Sequence, residues 1–145
     1  MFDRRSVAAH SIAISSIGLL LFSPAGPAAA DPGSMNGDYR IRVDGSDYGV
    51  WSFTSDCDAD GSCTALVQSR AKGWTATAAL SGGHWALTRT SETLFECRDG
   101  SNSPGEMRAK WDTGTLTGSM LLVPAGSLCG GSDAPLRGAL KLVRT

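Results

Sequence analysis

The sequence contains few of the side chains on which enzyme catalysis usually depends. Its 145 residues include two histidines, His10 and His84, and no Gly-x-Ser-x-Gly segment. A hydrolytic triad needs a base, usually histidine, beside its nucleophile, and a multi-histidine metal site needs several such rings. We therefore expect a protein that is not an enzyme and that carries no cofactor. A small exported hydrolase of unrecognised type is the alternative.

An excess of charge of either sign is also missing. Lys and Arg together number 13 and Asp and Glu number 14, which gives a formal net charge of −1. Proteins that bind nucleic acid usually present a basic surface to the phosphates. We therefore expect no nucleic-acid partner, and instead a small molecule, an envelope component or another protein.

One strongly apolar run lies near the start of the chain. Residues 1–30 begin with Arg4 and Arg5, continue through an apolar segment that ends at Phe22, and close on a run of alanines. This order is typical of a secretory signal peptide, and the run is too short and too rich in serine for a comfortable membrane span. We expect a signal peptide over 1–30, then a secreted or cell-envelope β-domain over 31–145 with no integral membrane segment. An uncleaved anchor is the alternative.

The four cysteines are expected to form two disulfides, because exported proteins fold in oxidising compartments. Three connectivities are possible, and the sequence does not decide among them. We favour Cys57–Cys63 with Cys97–Cys129, since turn-forming residues separate the first pair. The loop-entropy contributions would be about 2.4 and about 3.7 kcal/mol. A zinc or redox centre is less favoured because Cys57 and Cys63 do not have the Cys-x-x-Cys spacing.

Short segments of alternating apolar and polar residues occupy the rest of the chain. In DYRIRVD, Tyr39, Ile41 and Val43 share one face and charged residues share the other. Successive strand side chains point to opposite faces, so this period of two predicts half-buried strands. GHWALTRT and LFEC are predicted as separate strands, and RDGSNSPG as the loop that follows. We expect an all-β, antiparallel up-and-down barrel of about eight strands, with a sandwich as the alternative.

The same alternation predicts which side chains fill the interior. Three of the four tryptophans lie in phase with apolar neighbours two residues away, which favours a solid core over an enclosed cavity. The predicted inward set is Tyr39, Ile41, Val43, Trp51, Phe53, Leu66, Trp85, Leu87, Met107, Trp111, Leu116, Met120, Leu140 and Leu142.

Two residues are candidate ligand-binding positions. Trp74 follows Gly73 at the start of a predicted strand and is expected to be more exposed than the other tryptophans. His84 is the single histidine after residue 30 and lies beside a predicted hairpin turn. An exposed strand-end histidine without a ligand is the more common role for such a residue.

The segment SDCDADGSC resembles the first positions of a calcium loop. Asp56, Asp58, Asp60 and Gly61 match the spacing D-x-D-x-D-G, but the twelfth position is Val67 where a helix-flanked loop needs glutamate. Aspartate also stabilises turns without a metal. We therefore expect no metal site, with these three aspartates as a weak calcium candidate.

The order of several segments resembles a known group of proteins. GDYR, VWSFTSDC, GSCTALV, GWTATAAL, GHWAL and TLTG occur in succession. This order resembles small exported, β-rich proteins of mycobacteria and related actinobacteria, which are related to extracellular sensor-like regions of serine/threonine kinases. The resemblance implies a secreted or envelope location and a β-rich domain, and it implies no catalytic residues. Together these observations predict a non-catalytic module that binds a ligand or a protein.

Overall fold

The computed structural model describes residues 33–145, which form a closed barrel of eight antiparallel strands. Each strand pairs with the next along the chain, and β8 pairs with β1 to complete the barrel. The all-β class and the up-and-down barrel are thus confirmed, and the predicted signal peptide over 1–30 lies outside the described residues. The strands are β1 (Asn36–Val43), β2 (Ser46–Cys57), β3 (Cys63–Ser69), β4 (Trp74–Ser81), β5 (His84–Glu96), β6 (Asn102–Asp112), β7 (Thr117–Pro124) and β8 (Leu136–Arg144).

β5 and β6 are longer than the alternation predicts. β5 joins the two predicted segments into one strand, with an irregularity in its pairing to β6 between Ser91 and Phe95. The loop after β5 is short because the Cys97 N–H donates to the Ser101 carbonyl at 2.8 Å, which closes a tight turn. β6 therefore begins at Asn102 and includes Pro104, which was predicted to lie in the loop. Residues 33–145 contain no helix long and apolar enough to cross a membrane.

The interior is filled mainly by large apolar side chains. Cross-strand partners share a face of the sheet, so the inward position of Phe53 places its partner Val67 in the core as well. The prediction that Leu66 points inward is therefore wrong, and this side chain is 47% exposed. Val43 and Leu116 are only partly buried against the core. The largest fully buried side chains are Trp51, Trp85, Trp111, Ile41, Leu87, Met107, Met120, Leu140 and Val67.

One end of the barrel, here called the plugged end, is covered by the segment that precedes β1. The Trp85 indole N–H donates to the Gly33 carbonyl at 3.1 Å, and the Trp111 indole N–H contacts the sulfur of Met35 at 3.1 Å. Met35 is buried, and its own N–H donates to the Ser55 hydroxyl at 2.7 Å. The opposite end, here called the open end, contains the start of β2, the β3–β4 turn and the end of β5.

The end of β8 also lies at the plugged end. β8 runs antiparallel to β1, so its last residues lie beside the first residues of β1. The Thr145 N–H donates to the Asp38 carbonyl at 3.1 Å. The described chain therefore starts and finishes at the same end of the barrel.

Gly118 of β7 occupies a position with no room for a side chain. An added Cβ would overlap the Lys110 carbonyl oxygen and lie 2.7 Å from the Trp111 Cα, and both of these are backbone atoms that cannot rotate away. We expect Gly118→Ala to lower the free energy of unfolding by about 1–3 kcal/mol or more, measured by urea denaturation. Gly114→Ala is the matched control, because its Cβ would come no closer than 3.4 Å to Asp112. Equal losses in the two variants would contradict this prediction.

Candidate functional site

A cleft of about 710 Å³ lies at the open end of the barrel. The core tryptophans fill the barrel below it, so the cleft is an opening at one end and not a channel through the molecule. Its walls come from β2, β4, β5, β6, β7, β8 and the β7–β8 loop. The apolar part of the lining consists of Trp74, Leu94, Phe95, Leu122, Leu128 and Leu136.

Trp74 and Arg89 contribute to one wall of the cleft, and the buried Trp51 supports Trp74 from the core. The Trp51 and Trp74 rings meet edge to face, with centroids 5.1 Å apart, and the Arg89 guanidinium carbon lies 4.8 Å from the Trp74 centroid. An arginine over an aromatic face is attracted by the ring quadrupole. Trp51 is fully buried, and its indole N–H has no hydrogen-bond partner among residues 33–145. The other two core tryptophans, Trp85 and Trp111, donate their indole N–H groups at the plugged end.

Burial alters the ionisation of two groups in the cleft. The pKa of Tyr48 is raised because burial disfavours the phenolate, an effect that the Arg89 charge partly offsets. The pKa of Arg89 is lowered because burial disfavours the cation, and the guanidinium still remains charged near neutral pH. Both residues line the cleft, and both are half-buried.

The second disulfide holds the β7–β8 loop against the cleft. A short 3₁₀ turn, Leu128–Gly130, contributes Leu128 and Cys129 to the lining. Cys129 is bonded to Cys97, and its N–H donates to the Ser103 hydroxyl at 3.2 Å. The pairing of Cys97 with Cys129 and of Cys57 with Cys63 confirms the favoured connectivity.

The structure places the two candidate ligand-binding residues at opposite ends of the barrel. Trp74 lines the cleft, whereas His84 starts β5 at the plugged end and is not part of the cleft lining. The His84 Nδ1 lies 3.0 Å from the Gly82 carbonyl oxygen, and its Nε2 lies 4.0 Å from an Asp112 carboxylate oxygen. The two candidates do not contribute to a common site.

The aspartate loop is a tight turn closed by a disulfide. The Asp58 N–H donates to the Ser62 carbonyl at 2.8 Å, and the Ser62 N–H donates to an Asp60 carboxylate oxygen at 3.0 Å. The hydrogen bond from the Ser62 N–H favours the ionised carboxylate and is the largest cause of the lowered pKa of Asp60. Within residues 33–145, no three Asp, Glu, His or Cys side chains are arranged to hold a metal ion. The contacts made by Asp58 and Asp60 are those of a turn.

The outer face of the sheet has a second concave region, of about 770 Å³, between β1, β7 and β8. Its lining includes Arg42, Lys141 and Val143, which are outward-facing side chains on neighbouring strands. No aromatic side chain lines it. The open-end cleft is therefore the stronger candidate site, because aromatic, aliphatic and cationic groups converge there.

Sequence reasoning identified Trp74 but missed the other cleft residues that carry chemistry. Arg89 had a usable signal, because it follows Trp85 and Leu87 at the inward phase of β5, where a cation is unusual. Tyr48 had none, because it lies out of phase with Trp51, and the β1–β2 register shifts near it at Ile41 and Arg42. No family model, curated protein or solved structure matches this chain, so the resemblance to exported actinobacterial proteins stays a prediction.

Proposed function

We propose that this protein is a non-catalytic binding module that holds a small molecule in the cleft at the open end of its barrel. The observation that carries the proposal is the asymmetry of the barrel. One end is plugged by residues 33–35, and the other opens into a cleft in which a half-buried arginine stacks on a tryptophan. If the open end served only stability, we would expect it to be covered as the plugged end is.

The dimensions and chemistry of the cleft support this function. Small-molecule sites are usually concave, measure about 300–1,000 Å³, and combine an apolar lining with a few converging polar groups. The cleft has a volume of about 710 Å³ and combines leucines with Tyr48, Lys72 and Arg89. Tyr48 and Arg89 lie on strands of the closed sheet, which restricts the movement of their backbones, and Lys72 lies in the β3–β4 turn.

The proposed location is outside the cytoplasm, either secreted or in the cell envelope. Two disulfides are present, and paired cysteines are typical of proteins that fold in oxidising compartments. The basic and apolar pattern of residues 1–30 also supports export from the cytoplasm.

The hydrolase alternative draws less support from the geometry. A catalytic histidine uses one ring nitrogen to contact a carboxylate and the other to activate a nucleophile. His84 faces Asp112 with one nitrogen, but the other is within hydrogen-bonding distance of the Gly82 backbone carbonyl. Asp112 itself accepts hydrogen bonds from the Gly114 and Thr115 N–H groups, as a turn aspartate does.

Two fluorescent probes test the proposed function: 8-anilinonaphthalene-1-sulfonate, which is anionic, and N-phenyl-1-naphthylamine, which has the same aromatic body without the charge. We expect saturable one-to-one binding of at least one probe, with energy transfer from tryptophan. Trp74→Ala should weaken that binding about tenfold or more, because an aromatic contact contributes about 0.5–1.5 kcal/mol beyond its buried area.

His84→Ala is the control, because His84 lies at the other end of the barrel. It should leave the affinity of the probe unchanged. Binding of neither probe, or equal losses in Trp74→Ala and His84→Ala, would contradict the proposed function.

A further inference from the structure

The charged groups of the cleft lack acidic partners. Among residues 33–145, neither Arg89 nor Lys72 has a carboxylate within 4.0 Å, and Arg89 is the one Lys or Arg in this range that is not exposed. Arg89 is half-buried, and this burial is enough to lower the pKa of its guanidinium. A cation that is partly removed from water is normally paired with an anion.

The lining carries more positive than negative groups. Lys72 and Arg89 are its cations, and Glu96 is its one carboxylate. Glu96 is exposed, and its side chain forms no ion pair with either cation. The remaining polar lining groups are the hydroxyls of Tyr48 and Thr93 and the amide of Asn102. An anion that enters the cleft therefore meets a net positive lining.

The position of Arg89 is supported by aromatic neighbours. Its guanidinium lies over the Trp74 ring, and Trp74 in turn meets the fully buried Trp51 edge to face. A guanidinium attracted to a ring face keeps N–H groups that match the two oxygens of an acid group. The site is thus arranged before a ligand arrives, which reduces the entropy lost on binding.

Leucines line the rest of the cleft. Leu94 and Leu122 come from β5 and β7, and Leu128 comes from the β7–β8 loop. These side chains offer an apolar surface and no hydrogen-bonding group. A ligand that satisfies both parts of the cleft needs an apolar body and an acid group at one end.

We propose that the cleft takes an amphipathic small-molecule anion, whose carboxylate, sulfonate or phosphate pairs with Arg89 close to Lys72 and whose apolar body contacts the leucines. This proposal rests on the proposed function and narrows it to a class of ligand. It assigns Arg89 the role of selecting the charge of the ligand, and the leucines that of holding its body.

The two probes named above differ in charge and share a body, so their comparison tests the class directly. We expect the sulfonate to bind the unaltered protein about tenfold or more tightly than the uncharged amine, since a charge-assisted hydrogen bond is stronger than a neutral contact. Raising the ionic strength should weaken the binding of the sulfonate and leave that of the amine unchanged.

Arg89→Gln should remove the preference by weakening the sulfonate and leaving the affinity for the amine close to its original value. Lys72→Gln should reduce the preference by a smaller factor, because Lys72 is exposed. Lys110→Gln is the charge-matched control, since Lys110 faces outward on β6 and lies outside the cleft lining. It should leave the preference intact. The melting temperature of each variant checks that it is folded.

The outcomes distinguish failure of the proposed function from failure of the proposed class of ligand. If neither probe binds, the proposed function itself fails. If the amine binds as tightly as the sulfonate, or if Arg89→Gln and Lys72→Gln keep the preference, the cleft binds small molecules but does not select anions. If the preference is present and Arg89→Gln removes it, displacement of the sulfonate by dodecanoate or by 1-naphthoate distinguishes a fatty acid from an aromatic acid as the preferred source of the acid group.

Discussion

Replacing both Cys97 and Cys129 with alanine is expected to lower the free energy of unfolding by about 3.7 kcal/mol. The bond joins residues separated by 32 positions, so its loss frees a long loop in the unfolded chain. Typical domains are stable by about 5–15 kcal/mol, so this one change removes a large share of the total. Urea denaturation of the variant and of the unaltered protein measures the difference.

The matched control for that prediction is removal of the other disulfide. Cys57 and Cys63 are separated by only 6 positions and sit as partners on adjacent strands, so their replacement should cost about 2.4 kcal/mol. The two losses should also differ in their effect on binding. Cys129 lines the cleft, whereas Cys57 and Cys63 close a hairpin at the other end. An equal or reversed order of the two stabilities, or no change in probe binding on loss of Cys97–Cys129, would contradict this account.

Trp111→Ala is expected to lower the free energy of unfolding by about 3–5 kcal/mol, because it leaves a large cavity in a closed sheet that cannot collapse to fill it. Trp111 is 1% exposed. Its ring meets Phe53 edge to face with centroids 5.9 Å apart, and its N–H contacts the sulfur of Met35. The substitution therefore removes part of the core and weakens the plugged end at once.

Trp74→Ala is the comparison for Trp111→Ala, because it removes the same side chain from the opposite end. Trp74 is half-buried and lines the cleft, so its loss should cost only about 1 kcal/mol of stability. The effects on ligand binding should be the reverse. Trp74→Ala should lower the affinity for the probe, and Trp111→Ala should leave that affinity nearly unchanged at a temperature where the variant is folded. Similar stability losses in both variants would contradict the division between core and cleft.

The order of strands could be predicted from the sequence because the alternation of side chains is local. Tyr39, Ile41, Trp51 and Phe53 follow that period and are buried. The phase failed at Leu66, where small and apolar residues alternate poorly and Val67 is equally apolar. Whether Leu66 or Val67 points inward is decided by the pairing of Val67 with Phe53 of β2. This is a contact between strands, which a local pattern does not show.

The cleft was harder to predict than the fold because it depends on which end of the barrel is covered. Nothing local in the sequence shows that Gly33 and Met35 meet the indole N–H groups of Trp85 and Trp111, 52 and 76 residues away. Trp74 was identified from its position after a turn, but its contact with Arg89 depends on the register between the adjacent strands β4 and β5. Contacts of these kinds follow from the pairing of strands and the closure of the sheet.

The two extremities of the described chain both lie at the plugged end of the barrel, because Met35 packs there and the Thr145 N–H donates to the Asp38 carbonyl. A carrier domain fused after Thr145, or a bead coupled at that point, would attach the molecule through its plugged end. The cleft at the open end would then face away from the carrier. Immobilised protein should thus keep its full capacity for the probe, whereas attachment through Lys72 at the rim would obstruct entry.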